Sequence, residues 1–477
     1  MREKKKSFAW VALFLALVMI FTACGSSAPK EEGTSGQSSP ASSSQKQASQ
    51  SQQGQAETKK EDANGKVSLV FWHGMGGEPG KALKKLVDQY NSSQDKVFVQ
   101  ESYQGSYDDT LTKLRATASG ASVGADLVQI YDLGTAFMIK SGLIKSMQDY
   151  IDKDKYDISK LEENCLAYYN LDGKLNSMPF NSSTPILYYN ADLLKKAGID
   201  KVPTNMKEIF ALKDKLKVAG AETPIAFDIY GWYMEQWFSK MEKPLYDQGN
   251  GRQGTPTKAL FDENGGMDKI LTMWKTAIDD KIIVNTGREG AQSAAEAAFV
   301  SGKTAMTLAS TASLSTILKE VGDRFTVGTA YYPGIDEQDK GGVSIGGASL
   351  WMIDSGDQAK MDACWDFIKF LMKPESQAQW NAETGYFPVN KDAHNTDIFK
   401  NNIKTFPQFE TAINQLHDST PANQGALSGV NQESRQIMEG EVESLLNNKQ
   451  DKAAAIKNMA DKINKALTDY NAANKGK

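Results

Sequence analysis

The sequence predicts an α/β protein built from two lobes. Its 477 residues, 40% of them hydrophobic, exceed what one core ordinarily holds even after the low-complexity N-terminal part is set aside. From Lys66 onward short apolar runs alternate with segments of helical periodicity, the pattern of strands feeding crossover helices. Two segments have the composition of passages between lobes. In Met178 to Asn190, Asn181, Ser182, Ser183 and Thr184 sit between Pro179 and Pro185, ahead of a β-branched and aromatic run. In Val343 to Ile353, paired glycines precede a strand and suit a close return crossing. An ordinary Ser/Thr turn before an edge strand is the alternative reading of the first passage.

The N-terminus reads as a targeting segment. Arg2, Lys4, Lys5 and Lys6 precede an apolar run from Phe8 to Phe21, and Thr22-Ala23-Cys24-Gly25 follows, so residues 1–23 have the layout of a secretion signal. The cysteine at its end resembles a bacterial lipobox in which the Cys24 thiol is lipidated, with Phe21 where Leu is usual. A plain cleaved signal is the alternative. Residues 24–65 are Ser, Gln, Gly, Ala, Lys and Glu with no aromatic side chain, a composition that cannot offset chain entropy. We expect a disordered tether there with a mean reach of about 35 Å.

A net charge of −5, with no Lys/Arg block to rival the N-terminal one, argues against a nucleic-acid partner. Three cysteines without paired spacing exclude a disulfide framework, and His73, His394 and His417 lie too far apart to suggest metal ligation, so no cofactor is expected. Cys165 and Cys364 are expected as buried free thiols.

Within the first lobe, Val67 to Trp72 reads as a strand, followed by the Gly-rich His73 to Gly80 and a helix carrying Leu83, Leu86, Val87 and Tyr90. A phosphate-loop reading fails on spacing, because Ala82 follows Lys81 where Ser or Thr is needed. Lys96 to Ser102 and Asp126 to Ile130 read as further strands of a parallel lobe, with a helix opening at Tyr107. Ligands of such sheets sit beyond the carboxyl ends of the strands, which here carry Trp72, His73, Tyr103 to Tyr107, Tyr131 and Asp132. An aromatic and carboxylate rim suits a polyol: the carboxylate accepts from hydroxyls while rings cover the carbon chain.

In the second lobe, Asn205 and Glu208 have capping-box spacing and start a helix through Leu216. Trp232, Tyr233 and Trp237 form an aromatic cluster, with core favoured over a stacking surface. Met267 to Ile278 and Ala291 to Val300 read as helices, Thr304 to Leu308 as a strand ending at Ser310, and the amphipathic helix through Ile463 and Leu467 packs on this lobe.

Several motifs in order resemble the glycerol 3-phosphate-binding proteins of ABC importers, within the extracellular solute-binding proteins for sugars. They are Phe71-Trp72-His73, Tyr103 to Tyr107, Met178 to Asn190, Leu308-Ala309-Ser310, Ile345 to Trp351 and Thr384 to Val389. The resemblance implies a two-lobed periplasmic-binding-protein fold of type II with a ligand cleft between lobes: 66–181 with 344–400, and 182–343 with 401–477. It carries ligand contacts to Tyr107, Asp132, Ser183, Ser310, Gly347 and Tyr386, and Trp72 and His73 join them by position at the rim. Asp132 stands where those binders use Glu, and Leu427 where they place a phosphate-gripping Arg; if a phosphate is bound, another cation such as Arg435 or Lys303 has to hold it. The implied function is a monomeric, lipid-anchored solute receptor that delivers glycerol 3-phosphate, a glycerophosphodiester or a sugar to a membrane permease. A secreted enzyme using Asp132 with Glu78, or with His73 as base, and a solute sensor are the rivals.

Overall fold

The structure is a computed structural model that describes residues 65–117, 122–290, 293–420 and 423–475. The signal, Cys24 and the tether lie outside the described residues. The described residues cohere as one unit built on two sheets.

Val67–His73 (β1), Val97–Tyr103 (β2) and Leu127–Tyr131 (β3) form the parallel part of the first sheet, which runs in the order β2-β1-β3. The strand β3 is buried along its whole length, as a strand covered on both faces must be. On one side its Leu127 joins a core with Phe71, Leu83, Tyr90, Phe367 and Ile368; on the other its Val128 and Ile130 join Leu111, Leu114 and Trp351. The sheet is completed by Ile144–Lys145 (β4), with Asn170–Leu171 (β5) and Lys174–Leu175 (β6) forming a separate small hairpin. The sequence predicts a parallel lobe, and the sheet is mixed: one strand, which returns after the second sheet has been formed, inserts antiparallel to β3.

The remaining strands are Met178–Ser183 (β7), Pro185–Asn190 (β8), Met306–Ser310 (β9), Val327–Tyr331 (β10) and Gly346–Ile353 (β11). β11 lies antiparallel to β3 and to β7, whereas β8, β9 and β10 make the second sheet in the order β10-β8-β9. β7 therefore runs in the first sheet through Ser183, and the single residue Thr184 separates it from β8 in the second. Thr184 is tied to the second side: Thr311 N–H donates to its carbonyl at 2.9 Å, and Gln415 Nε2 donates to its hydroxyl at 3.0 Å. Beside it, Gly346 pairs with Ser183. Gly347 has φ +96°, and a Cβ there would fall 1.9 Å from the Asn181 carbonyl oxygen, so only glycine fits.

The second core gathers Phe227, Trp237 and Trp274 with Met459, Ile463 and Leu467 of the helix Lys452–Ala473. Asn205 caps the helix Met206–Ala211, its side chain accepting from Glu208 N–H at 2.9 Å. The Glu208 carboxylate returns to Thr204 N–H instead of to the cap residue, and the expected single helix breaks at Leu212 before Lys213–Ala219. Cys165 and Cys364 are buried and free, and burial pushes both thiols up. Among the described residues no helix is long and apolar enough to cross a membrane.

Candidate ligand-binding site

The strand ends that meet at the crossing bring distant residues to one cavity of about 180 Å³. Tyr107 opens the helix Tyr107–Thr117, and Asp132 opens the 3-10 turn that follows β3. Ser183 closes β7, Ser310 closes β9 and caps the turn Thr311–Ser313, and Gly347 lies at the start of β11. Tyr386 follows Gly385, whose φ of +105° ends the helix Pro374–Thr384. All six line the cavity, together with Tyr131, Tyr230, Trp232, Tyr233, Glu289, Glu296 and Arg435. The size suits a small solute, below the roughly 300–1,000 Å³ that holds drug-sized ligands. A larger groove of about 470 Å³ between Arg115, Phe137 and Tyr470 includes none of the six.

Trp72 and His73 do not join this wall, which corrects the expectation from strand position. β1 runs parallel to β3 with Trp72 opposite Val128, so it ends short of the level at which Tyr131 and Asp132 line the cavity. Trp72 packs with Leu111, Leu114 and Val128, with the Lys113 ammonium 3.9 Å from the ring centroid. His73 places Nε2 2.8 Å from the Glu101 carboxylate, and Nδ1 accepts from Met75 N–H. Burial lowers the His73 pKa, against the upward pull of Glu101.

Leu427 does not face the cavity either. It lines a separate groove with Leu171, Arg252 and Pro256, and its N–H donates to the Asn250 carbonyl at 3.0 Å. The cation on the cavity wall is Arg435, in the helix Asn431–Leu446, which the sequence offers, beside Lys303, only as a substitute for the arginine missing at Leu427. The available signal is its place on the buried stripe Asn431, Ser434, Met438, Val442 and Leu445, where an unpaired guanidinium is costly.

Arg435 is held from both lobes. Its Nε and Nη2 donate to the two Glu235 oxygens, each at 2.7 Å, and Nη2 also donates to Asp132 Oδ2 at 3.1 Å. Burial pushes the Asp132 carboxyl up to about 6, opposed by the Arg435 charge. Burial likewise pushes Glu296 up to about 7, although Ser313 Oγ donates to it at 3.1 Å. Glu289 moves the same way, first because protein crowds its carboxyl and then because Glu296 and Asp228 are near, although the residue itself keeps open surface. At neutral pH the wall thus offers one cation already engaged by carboxylates, and carboxyls that take up protons readily.

Aromatic faces supply the rest. Tyr107 stacks on Tyr131 with centroids 5.3 Å apart, and Tyr386 on Trp380 at 5.5 Å. The Trp232 cluster divides between both readings: Trp237 is core and donates to the Pro333 carbonyl, whereas Trp232 lines the cavity. Glu78, the rival second carboxylate, is paired with Lys81 and Lys319 and is absent from the cavity wall.

Strand ends from two sheets closing on one small polar and aromatic cavity define a two-lobed solute receptor. A family profile described as bacterial extracellular solute-binding protein matches residues 85–408, and the chain belongs to that family. The sn-glycerol-3-phosphate-binding periplasmic protein UgpB of Yersinia pseudotuberculosis is 30% identical over 418 residues, covering 85% of this chain and 94% of that protein. Its Escherichia coli K12 counterpart is 29% identical with 86% and 94% covered. Among solved structures, UgpB of Mycobacterium tuberculosis in complex with glycerophosphocholine superposes with a TM-score of 0.70 at 21% identity, covering 86% of this chain and 100% of that one. The GacH receptor of Streptomyces glaucescens reaches 0.71 at 18% identity, with 85% and 99% covered. The fold is the two-lobed type II architecture of periplasmic sugar-binding proteins, and the chain is a substrate-binding receptor of a sugar or glycerophosphate importer.

Proposed function

We propose that this chain is anchored through lipidated Cys24 to the extracellular face of the cell membrane, captures a glycerophosphodiester between its lobes, and delivers it unchanged to an ABC permease. The observation that carries the choice of ligand is Arg435 in a wall whose other charged residues are Asp132, Glu289 and Glu296. A phosphate monoester brings up to two negative charges to a site where Asp132 and Glu235 already engage that guanidinium, so repulsion opposes it. A phosphodiester brings one. Its glycerol hydroxyls meet Asp132, Ser183 and Ser310, and its second alcohol lies against Tyr230, Trp232 and Tyr233. Similarity supports this reading from two sides, since the named relatives bind glycerol 3-phosphate and the M. tuberculosis structure holds glycerophosphocholine. A neutral sugar is the second reading, favoured by the paired carboxylates and stacked tyrosines.

Calorimetry with glycerol 3-phosphate, glycerophosphocholine and maltose tests the assignment. The expected order is glycerophosphocholine tightest, with intact ligand recovered on denaturation. Tighter binding of glycerol 3-phosphate, or release of a hydrolysed product, rejects it.

A further inference from the structure

Behind the cavity runs a hydrogen-bond chain whose direction is fixed at its far end. The backbone N–H of Gly74 reaches Gln129 Oε1 at 3.0 Å, Gln129 Nε2 reaches Asn181 Oδ1 at 2.8 Å, and Asn181 Nδ2 reaches Tyr107 Oη at 2.7 Å. A backbone N–H can only donate, so the Gln129 oxygen must face it and its NH₂ must face Asn181. The same logic turns the Asn181 NH₂ toward Tyr107. Gln129 and Asn181 are completely buried, so water does not compete for these groups. The Tyr107 oxygen is thereby used as an acceptor, and its own proton has to point onward. The nearest protein acceptor is Tyr386 Oη at 3.4 Å, longer than the roughly 2.5–3.0 Å of a good O–H···O bond. Burial also keeps Tyr107 a neutral phenol, its proton retained well above the ordinary tyrosine range.

We propose that Gln129 and Asn181 are positioning residues that make Tyr107 an obligate hydrogen-bond donor into the cavity, so that the receptor selects solutes presenting an acceptor oxygen, such as a phosphoryl or ether oxygen, at Tyr107. This deepens the preceding reading and rests on the cavity being the ligand site. A polarised chain of this kind discriminates because a solute donor placed there would face a proton and leave a buried group unpaired.

Two nearly isosteric substitutions reverse the direction at a pH high enough to ionise the new carboxyl; a buried carboxyl that keeps its proton donates onward as the amide does, so binding is compared across a pH series. In Asn181→Asp, Gln129 still donates, but the second carboxylate oxygen takes the Tyr107 proton, leaving a lone pair toward the solute. Gln129→Glu lies one residue further back; it forces the Asn181 amide to flip, with the same result at Tyr107. Glycerophosphocholine affinity is measured by calorimetry for wild type, both variants and Tyr107→Phe in each background, with thermal melting of the ligand-free proteins alongside. We expect at least a tenfold loss for each reversing variant once its carboxyl is ionised, with the melting temperature lowered by the buried charge and binding read only where the melt shows a folded protein. Tyr107→Phe should weaken binding in wild type but leave it equal or tighter in the reversed backgrounds. Unchanged affinity in a folded reversing variant, or an equal cost of Tyr107→Phe in every background, overturns the proposal, and Gln129→Glu decides alone if Asn181→Asp does not fold. If wild type binds none of glycerol 3-phosphate, glycerophosphocholine and maltose, the functional assignment has failed instead; if it binds only glycerol 3-phosphate or maltose, the same series is run with that solute.

Discussion

Arg435→Met removes the guanidinium while keeping most of the side-chain length, and its consequences separate into stability and binding. Arg435 accounts for contacts at 2.7, 2.7 and 3.1 Å to two carboxylates. Deleting one partner of a buried ion pair leaves uncompensated charge and costs about 3–5 kcal/mol. The Asp132 share depends on pH. Its folded-state pKa of about 6 lies above the ordinary 3.8, so its stabilising contribution is complete below about pH 3.8 and is lost as pH rises through about 6. Without Arg435 that loss deepens, because the charge opposing the upward shift has gone. The stability deficit of the variant in urea, followed by tryptophan fluorescence, should therefore be larger at pH 8 than at pH 5, and adding Asp132→Asn with Glu235→Gln should recover most of it. For binding, one charge-assisted hydrogen bond to the phosphodiester is worth about 1.5–3 kcal/mol, which is roughly a tenfold to hundredfold loss of glycerophosphocholine affinity. A folded variant that binds glycerophosphocholine as tightly as wild type would refute the role given to Arg435.

Other outcomes follow from the same geometry. Leu427→Arg should leave glycerol 3-phosphate affinity within about twofold of wild type by calorimetry, since residue 427 lines a different groove; a tenfold gain would place it in the site. Affinity for glycerophosphocholine should rise as pH falls from 8 to 6, because Glu296 and then Asp132 take up protons and their repulsion of the phosphate fades; Glu296→Gln should flatten the upper part of that profile. Gly347→Ala should unfold the crossing or lower the melting temperature by several degrees, because its Cβ would strike the Asn181 carbonyl. Cys24→Ala should leave solute affinity unchanged and shift the protein out of the lipid-anchored membrane fraction; mature variant still held there by lipid would contradict the anchor.

How much the sequence disclosed depends on which forces wrote each feature. Strand-and-helix alternation and the two proline- and glycine-marked passages are local signals, so the two sheets and the crossing near Ser183 were legible. The six residues at strand and helix ends were legible through motif resemblance, because such ends converge wherever open sheets meet. The place of Trp72 is not legible because carboxyl-end position says nothing about register, and Trp72 pairs with Val128, short of the end of β3. Arg435 is one candidate cation among several in the sequence, and nothing local singles it out until Glu235, two hundred positions away, is seen to meet it. Leu427 lies in the Gly- and Ser-rich stretch Gly425 to Gly429, which has little pattern to fix which residue corresponds to the arginine of the family. The antiparallel insertion of β11 is a long-range pairing that no local periodicity encodes.

The passage at Thr184 has a mechanical consequence. β7 and β11 leave the first sheet side by side, paired at Ser183 and Gly346, so the lobes are joined there by a two-ply ribbon instead of a single thread. A ribbon bends readily about an axis lying across it and resists shear within its own plane. Thr184 is fastened to Thr311 and Gln415 on the second side, which leaves the compliant zone to Ser182, Ser183 and the glycine pair. Lobe movement is thereby steered along one track, and the angle at which the cavity walls meet is set by residues that form the ribbon as well as by those that hold the solute. Changing the stiffness of this ribbon would retune affinity for every ligand by a common factor, while leaving the preference among ligands where the wall has placed it.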